Sequence, residues 1–287
     1  MKPYAECAQC ILKWTYERTA ASASDKQRYE LMRALLGVLY REFMPEWNLG
    51  LIANRTLEAV SEYISASAAF DNEIKKKNNQ AAAALLPAAR EFIRKGKTDR
   101  ERFERACCLA SAGNVSPIGA PSGAFEFTGV ESIIAGRDPL PIIIGDIYGT
   151  TRERNRVLFL TDNAGEIGFD SLLIKELKVM GSTVTLVVKE DPFFEDATVH
   201  DAVDFRLDKL ADHMLTTRGV FLPGMSTSAL DEAYRQCDLV IAKGTFNFEA
   251  LSGEPTGKPT IYMLKIKCDP LSKKNNDAQG RFVVKLE

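Results

Sequence analysis

From Arg156 onward, short apolar runs alternate with stretches of helical spacing, and this alternation leaves the chain very few folds to adopt. "RVLFLTD" and "STVTLVVKE" read as buried strands, with "GFDSLLIKELKVMG" as the intervening helix ending at Gly181. "CDLVIAKG" and "PTIYMLKIKC" read as two more strands. Such runs predict a parallel sheet covered by helices on both faces. Right-handed crossovers then gather the strand ends along one edge, where open parallel sheets bind their ligands.

The N-terminal part has a different texture. "QRYELMRALLGVLYREF" and "NRTLEAVSEYISASAAF" place apolar residues three and four apart, as helices do. "FDNEIKKKNNQAAAALLPAAREFIRKGK" reads as a charged connection into a helix interrupted at Pro87, with Lys75–Lys77 on a solvated face. "SAGNVSPIGAPSGAFEFTG" reads as a loop, and "LPIIIGDIYGT" as a short strand or buried connector. The expected architecture is a three-layer α/β/α fold with a mostly parallel sheet. A helical subdomain would occupy residues 1–105 and an α/β domain residues 106–287, integrated into one unit.

Composition narrows the function. A net charge of −2 over 287 residues gives no electrostatic case for a nucleic-acid or membrane partner. No run is long and apolar enough to span a bilayer, and "MKPYAECAQC" lacks the apolar core of a signal peptide, so a cytoplasmic location is expected. Oligomeric state is left open. Two histidines make a His-rich metal site or a Ser-His-Asp triad improbable. Chemistry falls to carboxylates, amides, lysines, a metal or the six cysteines, which in a reducing compartment are not a disulfide framework.

The strand ends carry those groups. After the first strand come Asp162 and Asn163, hard oxygen ligands suited to Mg²⁺ or Mn²⁺, then Gly165 and Glu166 at a helix start. The plain alternative is that Asp162 only caps the helix. Glu190, Asp191, Glu195, Asp196 and Asp201 crowd the end of the second strand, and Asp196 reads as the opening of another helix. Lys243, Gly244, Asn247 and Glu249 follow the third. No Walker A loop and no G-x-G-x-x-G turn is present, which demotes a dinucleotide or adenosylmethionine site. Acids, amide, lysine and helix N-terminus together suggest a metal–phosphate cradle.

These stretches resemble the family first described as domain of unknown function 89, the metal-dependent damage-control phosphatases. The likeness rests on "TDNAGE", "DATVHDA" and "KGTFNFE" and spans essentially the whole chain. It implies a divalent metal (Mn²⁺, Ni²⁺, Co²⁺ or Mg²⁺) on Asp162, Asn163 and Asp196, and hydrolysis of small phosphorylated metabolites such as sugar phosphates or damaged metabolites. Asp162, Glu166 and Lys243 are the candidate catalytic residues. Lys243 is expected to point into the cleft and hold the phosphoryl group, with Glu166 or the metal preparing water. Asn114, Gly165, Gly244, Asn247 and Glu249 are candidates for substrate binding. "SAGNVSPIG" departs from the family form by placing Pro117 where an acid is expected. The "ECAQC" segment resembles a stand-alone prokaryotic branch, so Cys7, Cys10 and Cys268 form a candidate thiol cluster, whereas Cys107, Cys108 and Cys237 read as core thiols. Alternatives are a carboxyl methyltransferase, an activity proposed for a eukaryotic branch, and a nonenzymatic metal- or redox-sensing protein.

Overall fold

The computed structural model describes residues 1–20, 23–115, 126–191, 194–255 and 257–287, and the backbone alone for residues 64–71. Among them, seven strands form one sheet: β1 (Ile142–Ile144), β2 (Arg156–Leu160), β3 (Thr183–Lys189), β4 (His213–Thr217), β5 (Leu239–Lys243), β6 (Thr260–Lys265) and β7 (Phe282–Leu286). Their order is β1-β7-β6-β5-β2-β3-β4. β2 to β6 are mutually parallel, β7 is antiparallel to β6, and β1 is parallel to β7.

Helices α1 (Ala5–Thr19), α2 (Asp25–Glu42), α3 (Leu49–Ala59), α4 (Ser61–Arg94), α5 (Asp99–Ala112) and α6 (Thr128–Ile134) precede β1, and α7 (Ile147–Arg152) follows it. The rest sit between or after the later strands: α8 (Glu166–Val179), α9 (Val199–Asp204), α10 (Leu207–Leu210), α11 (Ser228–Gln236), α12 (Gly244–Leu251) and α13 (Asp269–Asn275). Alternate strand residues point to opposite faces, and two cores result. Val157, Phe159, Val184 and Leu186 pack under α4, α5 and α8. Leu158, Leu160, Val187 and Val240 pack under α1, α3, α11 and α12. The N-terminal helices therefore contribute to both outer layers, and a boundary after residue 105 falls inside α5.

Three local expectations change. Helix α4 runs unbroken through Pro87. A proline removes one helical hydrogen bond and crowds the preceding turn. Burial of Ala82, Leu86, Ala89 and Ile93 along the same stretch offsets that cost. Lys75 is not on a solvated face: it is 3% exposed and pairs with Asp201 at 2.7 Å. Asp196 does not open a helix, because α9 starts at Val199, where Thr198 and Asp201 form the capping box.

Chain direction across the sheet reverses beside β2. The chain passes from β2 to β3 and β4 on one side, then returns to β5 and β6 on the other. Such a switch point opens a crevice at the carboxyl ends of the strands. The loops after β2, β3 and β5 all leave there.

Candidate active site

Two loops are knitted together before any side chain is considered. Ala197 N–H donates to Asp162 O at 2.8 Å, Ala164 N–H donates to Glu195 O at 2.7 Å, and Asn163 pairs with Asp196 in an antiparallel bridge. This backbone stitching sets Asp162, Asn163 and Asp196 side by side, each at most 9% exposed.

Helix α4 secures both loops from behind. Asn79 Oδ1 accepts from Gly165 N–H at 2.7 Å, and its Nδ2 donates to Asp201 at 2.9 Å and Asp204 at 3.1 Å. Gly165 has φ 77°, and a Cβ there would press on the Asn78 carbonyl. With its N–H committed to Asn79, Gly165 has no backbone donor to offer a phosphate. Gly244 (φ 80°) allows β5 to end against Asp162, whose carboxylate a Cβ would overlap.

A buried network lies below. Asn114 Nδ2 and Asn163 Nδ2 each donate to Asp162 Oδ2 at 2.7 Å and to Glu166 Oε2 at 3.0 Å. Lys243 Nζ donates to Glu166 Oε1 and Asp170 Oδ1, both at 2.6 Å. Lys243 thus differs from expectation: it is fully buried and lies off the cavity lining. Burial opposes its charge, but Asp170 and Glu166 outweigh burial and hold its pKa above the ordinary lysine range. Glu166 is likewise fully buried, with both oxygens occupied, and does not face the cavity. Asn114 also accepts from Lys265 N–H at 3.2 Å, and Asn247 donates to the Thr161 and Lys243 carbonyls. These two amides brace the strand ends and, like Gly244, lie off the cavity lining. Glu249 is on that lining. Pro117 is outside the described residues.

The cavity has a volume of about 130 Å³, and Asp162, Asn163 and Asp196 line it. Lys267, beyond the end of β6 and missed by the strand-end reading, lines the same cavity. No carboxylate among the described residues pairs with it directly. Burial lowers its pKa, while Asp162 and Glu166 act in the other direction. Its signal was the lysine two residues past the strand, beside the Cys268 already singled out.

Carboxylate crowding dominates the electrostatics. Asp162 is pushed up to about 8 by burial and by Glu166 and Asp196. Asp196 is pushed up to about 6 by burial, against the pull of Lys189. The donors that remain are hard oxygens. Asn163 has both N–H bonds committed, and among the described residues no donor meets its Oδ1 or Asp162 Oδ1. Among the described residues no three His, Cys, Asp or Glu side chains are arranged to hold a metal, so a cation site here requires the Asn163 amide. That donor set fits a hard divalent cation.

The remaining wall is shared by α1 and α3 with Glu195, α12 and the residues after β6. Arg18 pairs with Glu195, both under 5% exposed, and its guanidinium lies 5.0 Å from the Trp14 ring centre. Trp14 meets Phe246 edge to face at 5.0 Å. Among the described residues Arg18 Nε, Glu195 Oε1 and Thr245 Oγ1 are buried without a hydrogen-bond partner, and all three residues line the cavity.

Cys7, Cys10 and Cys268 line the same cavity. Burial pushes the Cys7 thiol up to about 11 and the Cys10 thiol up to about 12. Thiolates are the reactive form, so these two should alkylate with iodoacetamide at pH 7.5 at least about tenfold more slowly than free cysteine, whose pKa is about 8.5. Modification as fast as free cysteine, followed by peptide mass, would contradict the buried environment. Cys107, Cys108 and Cys237 are buried.

Fold and site together define a class: an open α/β sheet holding an acid–amide–acid group at its switch point. The profile of the damage-control phosphatase ARMT1-like domain matches residues 4–283. A damage-control phosphatase of Archaeoglobus fulgidus is 30% identical over 295 residues, covering 100% of this chain and 99% of that protein. Another, PH1575 of Pyrococcus horikoshii, is 32% identical over 187 residues, covering 63% of this chain and 64% of that one. A crystal structure of a DUF89 family protein from Pyrococcus horikoshii superposes with a TM-score of 0.80 at 23% identity, over 99% of this chain and 98% of that one. The chain belongs to the ARMT1-like, or DUF89, damage-control phosphatase family.

Proposed function

We propose that the protein is a metal-dependent phosphatase that hydrolyses phosphate monoesters of small metabolites, in a damage-control role. The observation that carries this reading is the oxygen-donor trio lining one cavity together with Lys267, which forms no ion pair among the described residues. Asp162, Asn163 and Asp196 would hold Mn²⁺, Ni²⁺, Co²⁺ or Mg²⁺, which when bound supplies Lewis-acid polarisation of a phosphoryl oxygen. Lys267 neutralises phosphoryl oxygens as their charge redistributes. Lys243 acts through Glu166: it holds that carboxylate in place, and Glu166 in turn anchors the Asn114 and Asn163 amides. Asn163 is thereby presented with its oxygen outward. Among the described residues no helix is long and apolar enough to cross a membrane.

The test is turnover of p-nitrophenyl phosphate. EDTA should abolish it, and one or more of Mn²⁺, Co²⁺, Ni²⁺ and Mg²⁺ should restore it. Undiminished turnover after exhaustive chelation, with metal content checked by mass spectrometry, would remove the metal from the reading.

A further inference from the structure

The cavity lining holds one carboxyl group that the cation and phosphate leave unused. Asp162 and Asp196 belong to the oxygen-donor trio, Glu195 is tied to Arg18, and Glu6 is exposed to solvent. Glu249 remains. Among the described residues its carboxylate meets no hydrogen-bond donor and no ion-pair partner, and its oxygens are not sealed from the cavity.

Helix α12 explains the placement. Phe246 and Glu249 stand three residues apart and Thr245 and Glu249 four, which puts them on one face, and all three line the cavity. Asn247 and Phe248 turn instead to the strand ends and the core. The helix starts against Asp162. Five residues then carry Glu249 about 7.5 Å along the axis, away from the trio and toward the body of the ester. Its backbone is pinned: the Glu249 carbonyl accepts from the Met1 amine, and Asn48 Nδ2 donates to Ala250 O at 2.8 Å.

The groups around Glu249 are Cys7 and Cys10 from α1, Lys267 and Cys268 after β6, and the Met1 amine. α3, β5 and β6 add no titratable side chain to the lining. Burial pushes the Glu249 carboxyl up to about 7, against the Met1 amine and Lys267. Burial also lowers that amine to about 6, so its opposition is weak near neutrality. A phosphate dianion on Lys267 cancels the other opposing charge and favours the protonated carboxyl.

Resting on the phosphatase reading above, we infer that Glu249 is the general acid of the reaction, giving its proton to the alcohol oxygen as the ester bond breaks. Water forms the new bond to phosphorus, and the electron pair of the ester P–O bond stays on the alcohol oxygen, which takes the Glu249 proton. The proton shed by the attacking water leaves to solvent, and solvent reprotonates Glu249.

The experiment compares benzyl phosphate with p-nitrophenyl phosphate on the metal-loaded protein. Both carry a single ring, but the benzyl alcohol oxygen needs a proton to depart and p-nitrophenolate does not. Glu249→Gln should lower kcat/KM for benzyl phosphate by about 10²–10⁴, and by at least about tenfold more than for p-nitrophenyl phosphate. Wild type supplies a check that needs no variant. The ratio of kcat/KM for benzyl phosphate to that for p-nitrophenyl phosphate should fall as pH rises through about 7, because the acid must carry its proton. Should the variant fail to fold, that ratio decides alone. Equal losses for the two esters in a folded variant, or a wild-type ratio that stays flat through neutrality, would overturn this inference and leave the phosphatase reading standing. No turnover of either ester with any of the four metals would overturn both.

Discussion

Replacing Lys243 by methionine is expected to destabilise the protein by about 3–5 kcal/mol, the usual consequence of leaving a buried charge without its partner. The ammonium lies 2.6 Å from both Glu166 and Asp170, and all three side chains are fully buried. Methionine fills the space but cannot donate to either carboxylate, so Tm should fall on the order of 10 °C. The pH dependence gives the sharper test. Burial already holds Asp170 up at about 7 in the presence of Lys243, and without the lysine it rises further. A folded state that binds a proton more tightly than the unfolded chain loses stability as pH rises through the folded pKa. The Tm deficit relative to wild type should therefore widen above about pH 7. Adding Asp170→Asn removes one of the stranded charges and should recover part of the loss. A Lys243→Met protein melting within a degree or two of wild type at pH 9 would show that the network contributes little.

Asp196→Ala should have the largest effect on chemistry. Removing one donor of the trio is expected to lower metal-dependent turnover by roughly 10²–10³ or more, the scale seen when a single preorganised electrostatic group is lost. Stability without metal should scarcely change, because the mutation removes a carboxylate from a crowded, buried group as well as a contact with Lys189 at 3.4 Å. Thermal unfolding then separates binding from folding. Saturating metal at about a hundred times its Kd stabilises a binding-competent protein by about 2.7 kcal/mol. Wild type should show that upward shift with Mn²⁺ and the variant should not. A normal metal-induced shift in Asp196→Ala would exclude the residue from the site, and an apo protein already unfolded would mean that the side chain serves the fold.

The sheet was legible because its central strands are buried on both faces, which writes them into the sequence as unbroken apolar runs. β4 and β7 were not. β4, "HMLTT", lies at one end of the sheet and carries only two apolar residues, neither fully buried, while β7 pairs antiparallel with β6. The trio at the strand ends was legible for a related reason: Asp162 and Asn163 directly follow an apolar run, where only a loop can put them. The depth of Lys243 was not, since position after a strand says where a side chain starts and nothing about where it goes. Its destination depends on Asp170, one helical turn beyond Glu166 and otherwise unremarkable in sequence. The Arg18–Glu195 pair was hidden by distance, because no local pattern connects residue 18 with residue 195.

The helical wall of the cavity and its acid–amide–acid edge have different origins in the chain. Trp14, Arg18, Leu49 and Leu57 come from α1 and α3, whereas Asp162, Asn163, Asp196 and Lys267 come from the sheet edge more than a hundred residues later. Mutational drift can therefore act on the two almost independently. A helix face tolerates exchange of one apolar side chain for another of similar volume at modest cost, so the wall can diversify among descendants while the acid–amide–acid edge stays fixed. For the phosphatase proposed above, such an arrangement would let the range of accepted esters follow changes in the surrounding metabolism.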